Sequence, residues 1–193
     1  MMVLHPVSGA HHANYAGGSG FCTFNFLVGG AVELLRMGLH RVAIIDLDAH
    51  PGDGTYRLSR GREGIALFDI AGGSWADVAN TASVEYHVVR DAGSYREALN
   101  HLPAFLCRVR PALVQYQAGM DPFEADPVGG IDGITEAFLL ERDRSVIDQI
   151  RARGIPLVVN LAGGYVRGVS ERLHVNTIRV MASASLSTLA DTV

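Results

Sequence analysis

The residues best suited to chemistry lie in "IIDLDAHPGDGT", residues 44–55, where Asp46, Asp48, His50 and Asp53 fall within eight positions directly after an apolar run. Asp48 and His50 are separated by one residue, so in extended chain both side chains leave the same face. With Asp121, from "AGMDPFEADPVGG", they would present two carboxylate oxygens and one imidazole nitrogen. That donor set suits a divalent ion such as Zn²⁺, and the same three ligands accept Fe²⁺. Three protein ligands leave positions open for water and substrate, as a catalytic rather than a structural site requires. Asp46 and Asp53 are then free for another task, holding one nitrogen of a histidine so that its tautomer is fixed and its basicity raised. The tandem histidines of "GAHHA", His11 and His12, are the candidates, and Tyr165 in "AGGYVRG" adds a phenol.

These groups need a scaffold that gathers them. The runs "RVAIIDL" (41–47), "IALFDI" (65–70), "SVEYHVV" (83–89), "ALVQYQAG" (112–119) and "PLVVNLAGG" (156–164) are nearly continuous apolar segments. Such segments suit strands buried on both faces. Helical patterns lie between them. The first, 26–38, ends on Gly38; the second, 94–110, has Ser94 as N-cap and is kinked or split by Pro103. Two more follow, 134–154 closing on Gly154 and 170–190 at the C-terminus. Strands alternating with helices predict a single domain over residues 1–193, with a mostly parallel sheet and helices on both faces. Ligands of such sheets bind beyond the carboxyl ends of the strands. "DLDAHPGD", "AGMDPFEADPVGG" and "AGGYVRG" all leave strand ends of that kind.

Composition narrows the function classes. With 48% hydrophobic and 19% charged residues, the chain is that of a folded globular protein. A net charge of −4 offers no basic field for nucleic acid. Two cysteines, Cys22 and Cys107, fit a reducing compartment, and no apolar stretch reaches the ~20 residues of a membrane span. No secretion signal opens the sequence, so a cytoplasmic location without membrane attachment is expected.

In order and type, "HHANYAGGSGFCTFN", "RVAIIDLDAHPGDGT", "AGMDPFEADPVGG" and "LAGGYV" resemble the motifs of the histone deacetylase superfamily, which includes bacterial acetylpolyamine amidohydrolases. The resemblance implies the arginase–deacetylase fold, a three-layer α/β/α sandwich. It also implies a zinc-dependent amidohydrolase that removes acetyl or acyl groups from amines. It makes Asp48, His50 and Asp121 the metal ligands, and His11 and His12 the acid/base pair backed by Asp46 and Asp53. Tyr165 becomes the oxyanion donor. Gly20, Phe21, Val128 and Gly164 become substrate-binding positions along a narrow tunnel. Asp46 and Asp48 further match part of a monovalent-cation site, normally K⁺. The implied partners are acetyl-lysine, acetylpolyamines or small acylated amines.

Two departures stand against that pattern. Pro51 occupies a loop position that is commonly non-proline in the family. Only a short stretch precedes His11, so the fold is expected to be shortened at the N-terminus, without its first strand, and to cover the exposed surface by forming a homo-oligomer. Trp75, in "AGGSWADVANTAS", is a candidate aromatic wall. Two rival readings remain. Ureohydrolases of the same fold need a second carboxylate cluster for two metals, yet Asp121 is followed by Pro122, Phe123 and Glu124 rather than by an Asp-x-Asp pair. A deacetylase-like chain that binds metal or ligand, or serves in assembly, without turnover is the non-enzymatic alternative.

Overall fold

The computed structural model describes residues 1–74 and 78–190, with side chains described as far as Ser185; Trp75 lies outside this set. Six parallel strands form one sheet in the order β1-β6-β5-β2-β3-β4. The strands are β1 (Met2–His5), β2 (Val42–Asp46), β3 (Ile65–Ala71), β4 (Val84–Val88), β5 (Leu113–Ala118) and β6 (Leu157–Leu161). The five apolar runs of the sequence are β2 to β6. Strand β1 was not expected. It pairs with β6 through Met2↔Leu157 to His5↔Asn160, so a strand does precede the tandem histidines, contrary to the expectation of a missing first strand.

Alternation along the central strands sorts side chains into two layers. Ala43 and Ile45 of β2, Phe68 and Ile70 of β3, and Val114 and Tyr116 of β5 face the larger core. That core is covered by α3 (Ala92–Leu99), α4 (Leu102–Val109), α5 (Glu136–Ala152) and α6 (Ser170–Ala190). Val42, Ile44, Ile65, Leu67 and Leu113 face α1 (Phe26–Arg36), with the short α2 (Asp53–Ser59) beside it. The result is the expected three-layer α/β/α sandwich.

The helix ends follow from local chemistry. Helix α1 closes with Gly38 at φ +101°, its N–H on the Leu35 carbonyl and that of Leu39 on the Leu34 carbonyl, a Schellman ending. Gly154 and Ile155 end α5 in the same way. The predicted 94–110 helix is two helices: α3 stops at Leu99, and Pro103 sits in the first turn of α4, where its missing N–H costs nothing. Ser94 is not the N-cap of α3. Asp91 is, accepting the Ser94 N–H at 2.8 Å, while the Ser94 hydroxyl reaches back to the Asp91 backbone in a capping box. Helix α2 is an addition to the expected set; seven residues with little apolar periodicity carry no helical signal in sequence.

The strand order sets the site. From β2 the chain steps outward through β3 to β4, then returns to the other side of β2 as β5. That reversal opens a crevice between the carboxyl ends of β2 and β5, where sheets of this class bind ligands.

Candidate active site

Asp48 and His50 leave the end of β2, Asp121 the end of β5, and Gly163 to Tyr165 the end of β6, three strands adjacent in the sheet. The His50 Nδ1 lies 2.9 Å from Asp121 Oδ2 and 3.2 Å from Asp48 Oδ1, and one donor atom of each residue lies within 4.8 Å of the other two. Metal–ligand bonds of about 2.0–2.2 Å put tetrahedral donors roughly 3.3–3.6 Å apart, so a small outward shift of these donors would admit one small ion. The remaining lone pairs are occupied by backbone donors. Asp48 Oδ2 accepts the Gly163 N–H at 2.9 Å, and Asp121 Oδ1 accepts the Ala49 N–H at 2.9 Å. His50 Nε2 donates to the Val128 carbonyl at 3.3 Å, which leaves Nδ1 facing the two carboxylates.

The donor set fits a divalent cation. Both carboxylates are buried, with His50 as their direct cationic counterpart. Hydrogen bonds to Asp121 and Asp48 push the imidazole pKa up to about 10, so a proton there performs the neutralisation that a metal ion would perform. A glycine shapes the cradle. A Cβ at Gly163 would sit 2.4 Å from Asp121 Oδ2 and 2.8 Å from Asp48 Oδ2, so any larger residue intrudes on the ligand oxygens.

The tandem histidines stand beside this cluster, their rings 4.0 Å apart between centroids. His11 Nδ1 donates to Asp46 at 3.0 Å and His12 Nδ1 donates to Asp53 at 2.8 Å. Asp53 is in turn anchored by Arg57 at 2.9 Å, one turn along α2. The two imidazoles therefore share a design, but their pKa values move in opposite directions. Burial opposes protonation of His11, yet the Asp46 and Asp48 carboxylates outweigh it and hold its pKa well above the ordinary value. For His12, burial and the adjacent His11 charge prevail over Asp53, and its pKa is lowered. The same pair of rings is thus pushed toward protonation at His11 and away from it at His12.

A cavity of about 220 Å³ reaches this cluster through His11 and Asp48, and is lined also by Gly20, Phe21, Gly164 and Tyr165 among others. Gly20 and Phe21 have φ of +51° and +62°, as the centre of a type I′ turn closed by the Cys22 N–H on the Ser19 carbonyl at 2.8 Å. A left-handed phenylalanine stores on the order of 1–3 kcal/mol of strain. The strained backbone presents the Phe21 ring, 82% exposed, opposite Tyr165 with centroids 5.8 Å apart, and the two rings form the cavity mouth. Gly20 has a second constraint, because a Cβ there would lie 2.2 Å from His12 Cδ2. Burial, then the Asp48 and Asp121 charges, keep the Tyr165 phenol well above its usual pKa, so it remains a proton donor. Val128 lies elsewhere: its side chain is half exposed on a neighbouring cavity of about 320 Å³ on the Pro51 side of His50.

Four positions that no sequence signal marks support the site. Asp126, buried, accepts the Tyr165 N–H at 2.7 Å and the Val128 and Gly129 N–H groups at 2.9 and 3.1 Å, tying the loop after β5 to the loop after β6. Arg142 of α5 is buried and donates through NH1 to the Leu47 carbonyl at 3.1 Å and the Gly119 carbonyl at 2.7 Å. Those carbonyls stand one residue before Asp48 and two before Asp121, so a single guanidinium clamps both strand ends that carry the cluster. Asp143 balances its charge, accepting from Arg142 Nε at 2.9 Å, the Tyr116 hydroxyl at 2.6 Å and Thr177. Asp69, paired in register with Asp46, accepts the Gly52 N–H at 2.9 Å through Oδ2, while its buried Oδ1 has no hydrogen-bond partner. Burial and the Asp46 charge hold its carboxyl well above the usual range.

Comparison with known proteins gives a consistent answer. Residues 1–181 match the model of the histone deacetylase domain. Histone deacetylase 2 of Arabidopsis thaliana is 31% identical over 194 residues, covering 92% of this chain and 48% of that protein. Acetylpolyamine amidohydrolase of Mycoplana ramosa is 27% identical over 177 residues, covering 83% of this chain and 50% of that protein. The crystal structure of an acetylpolyamine aminohydrolase from Burkholderia pseudomallei superposes with a TM-score of 0.74 at 22% identity, covering 91% of this chain and 53% of that one. The chain thus spans about half the length of the relatives it matches.

Proposed function

Since the chain belongs to the histone deacetylase domain family, we propose that it is a metal-dependent amidohydrolase that removes acetyl or related acyl groups from amines. The observation that carries this reading is the clustering of Asp48, His50 and Asp121 with two carboxylate-backed histidines, His11 and His12, beside a cavity that His11, Asp48 and Tyr165 line.

Asp48, His50 and Asp121 would hold a zinc or ferrous ion, which when bound supplies Lewis acidity to the amide carbonyl and acidifies water. His12, neutral, takes the proton of the attacking water as the new C–O bond forms, and returns one to the amine nitrogen as the C–N bond breaks. Its Asp53–Arg57 support keeps the accepting nitrogen aimed inward. His11, held cationic by Asp46 and Asp48, offsets the negative charge that develops on the carbonyl oxygen. Tyr165 donates a hydrogen bond to that same oxygen while keeping its proton, a contact stronger in the transition state than with the substrate. The remaining water proton passes from the new carboxyl group to the amine, so the products are a carboxylate and an ammonium.

The cavity argues for the substrate class. At about 220 Å³ it falls below the ~300 Å³ typical of sites for drug-sized ligands, which suits one slim acylated chain passing between Phe21 and Tyr165. A monovalent cation, K⁺ by type, near Asp46 and the unpartnered Asp69 Oδ1 belongs to the same proposal.

The test is acetate release from an acetyl-lysine peptide and from an acetylated diamine by the zinc-loaded protein. Turnover of either, abolished in Asp121→Asn, supports the reading. Retention of zinc with no release from either substrate would replace it with a binding role.

A further inference from the structure

A second constellation lies on the outer strand of the sheet, two strands from β2. Glu85 and His87 alternate along β4 and so leave the same face, toward the side covered by α3 and α4. His101, immediately before α4, meets them there. Glu85 Oε1 lies 3.1 Å from His87 Nε2 and 3.6 Å from His101 Nδ1, the imidazole centroids are 4.9 Å apart, and one donor atom of each residue falls within 4.8 Å of the others.

The surroundings make this more than a chance meeting of surface groups. His87 packs on Phe68 at 5.4 Å between centroids, and Phe68 on Phe105 at 5.3 Å, so the aromatic core fixes the plane of that imidazole. Arg108 of α4 pairs with the other carboxylate oxygen, Glu85 Oε2, and also donates to the Ala82 carbonyl at 3.1 Å. A carboxylate held by a guanidinium on one oxygen presents the other in a fixed direction, the arrangement that orients metal ligands elsewhere. Nothing in the proposed deacetylation uses these residues.

We propose that Glu85, His87 and His101 form a second metal site, independent of the deacetylase centre, that takes a borderline divalent ion such as Zn²⁺ or Ni²⁺. Two imidazole nitrogens beside one carboxylate oxygen disfavour Mg²⁺ and Ca²⁺, which call for all-oxygen cages. The observed donor separations of 3.1 and 3.6 Å lie close to the roughly 3.3–3.6 Å that tetrahedral coordination at about 2.0–2.2 Å demands. His101 is the exposed member, with 60% of its side chain in solvent, so the ion enters from outside and the remaining positions carry water. Binding there ties the edge strand β4 to the start of α4.

The experiment is calorimetric titration of the full chain with Zn²⁺ alone, in the parent, in His87→Ala and in His101→Ala, followed by imidazole NMR of the parent. His101 makes no capping hydrogen bond and is exposed, so its removal leaves the fold intact. The expected result is one zinc equivalent fewer per chain in each variant, and zinc-dependent shifts of both the His87 and His101 ring signals that Mg²⁺ does not produce. Unchanged stoichiometry in His101→Ala, or ring signals indifferent to zinc, would overturn the proposal. Acetate release by His101→Ala is expected to equal that of the parent, which separates this site from the deacetylase reading.

Discussion

Replacing Arg142 by Met keeps the length of the side chain and removes its charge and donors. Asp143 then stays buried with only the Tyr116 and Thr177 hydroxyls as donors. The Gly119 carbonyl loses its 2.7 Å bond to the guanidinium, and the Leu47 carbonyl keeps only the Tyr95 hydroxyl at 3.4 Å. Removing one member of a buried ion pair costs about 3–5 kcal/mol, a large share of the ~5–15 kcal/mol that holds a domain folded. At roughly 2–4 °C per kcal/mol for a chain of this size, the metal-free protein should melt about 6–20 °C lower when followed by circular dichroism. The double variant Arg142→Met, Asp143→Leu should recover part of that loss, because no charge is left buried alone. Zinc affinity separates positioning from stability. A clamp on the ends of β2 and β5 should also cost about 10–100-fold in zinc affinity at the deacetylase centre, measured below the melting range. A melting temperature within about 2 °C of the parent, together with unaltered zinc affinity, would refute the reasoning.

Other perturbations should act through the same geometry. Tyr165→Phe should lower turnover about 10²–10³-fold with zinc content unchanged, as the loss of one oxyanion donor does; elemental analysis beside an acetate-release assay checks both halves. Gly163→Ala should lose zinc at the deacetylase centre, since its Cβ would stand 2.4 Å from Asp121 Oδ2, and calorimetry reads that directly. Phe21→Gly should raise the melting temperature slightly by relieving a left-handed phenylalanine, while raising KM because the mouth loses one of its two rings. The pH profile tests the assignment of base. A neutral base whose pKa is lowered keeps its activity down to that lowered pKa, so the acid limb of kcat/KM should fall below the ordinary imidazole value of ~6.5. An acid limb at or above that value would remove His12 from the role.

How far the sequence discloses this molecule depends on where the signal resides. The strands β2, β3, β5 and β6 are legible because burial on both faces favours nearly unbroken apolar runs, while the half-buried edge strand β4 shows through its β-branched and aromatic residues; Gly38 and Gly154 mark helix ends because the left-handed region there suits glycine. Asp48, His50 and Asp121 are legible because ligand type and one-residue spacing combine with the rule that parallel sheets bind at strand ends. Strand β1 escapes, being four residues long, partly exposed and held by pairing with β6 rather than by any pattern of its own. Arg142 escapes for a different reason. In "LLERDRS" an arginine reads as solvated helix surface, and only the packing of α5 against the sheet turns it inward beside Asp143. The strain at Phe21 and the bridging by Asp126 are likewise tertiary facts: a turn geometry and a set of backbone donors that no residue type announces.

The central claim is that Asp48, His50 and Asp121 hold one catalytic ion, and zinc stoichiometry in a chain that keeps only this cluster tests it most directly. In the His87→Ala, His101→Ala double variant the account predicts one zinc per chain, lost when Asp121→Asn is added. Equal zinc content with and without Asp121 would contradict it.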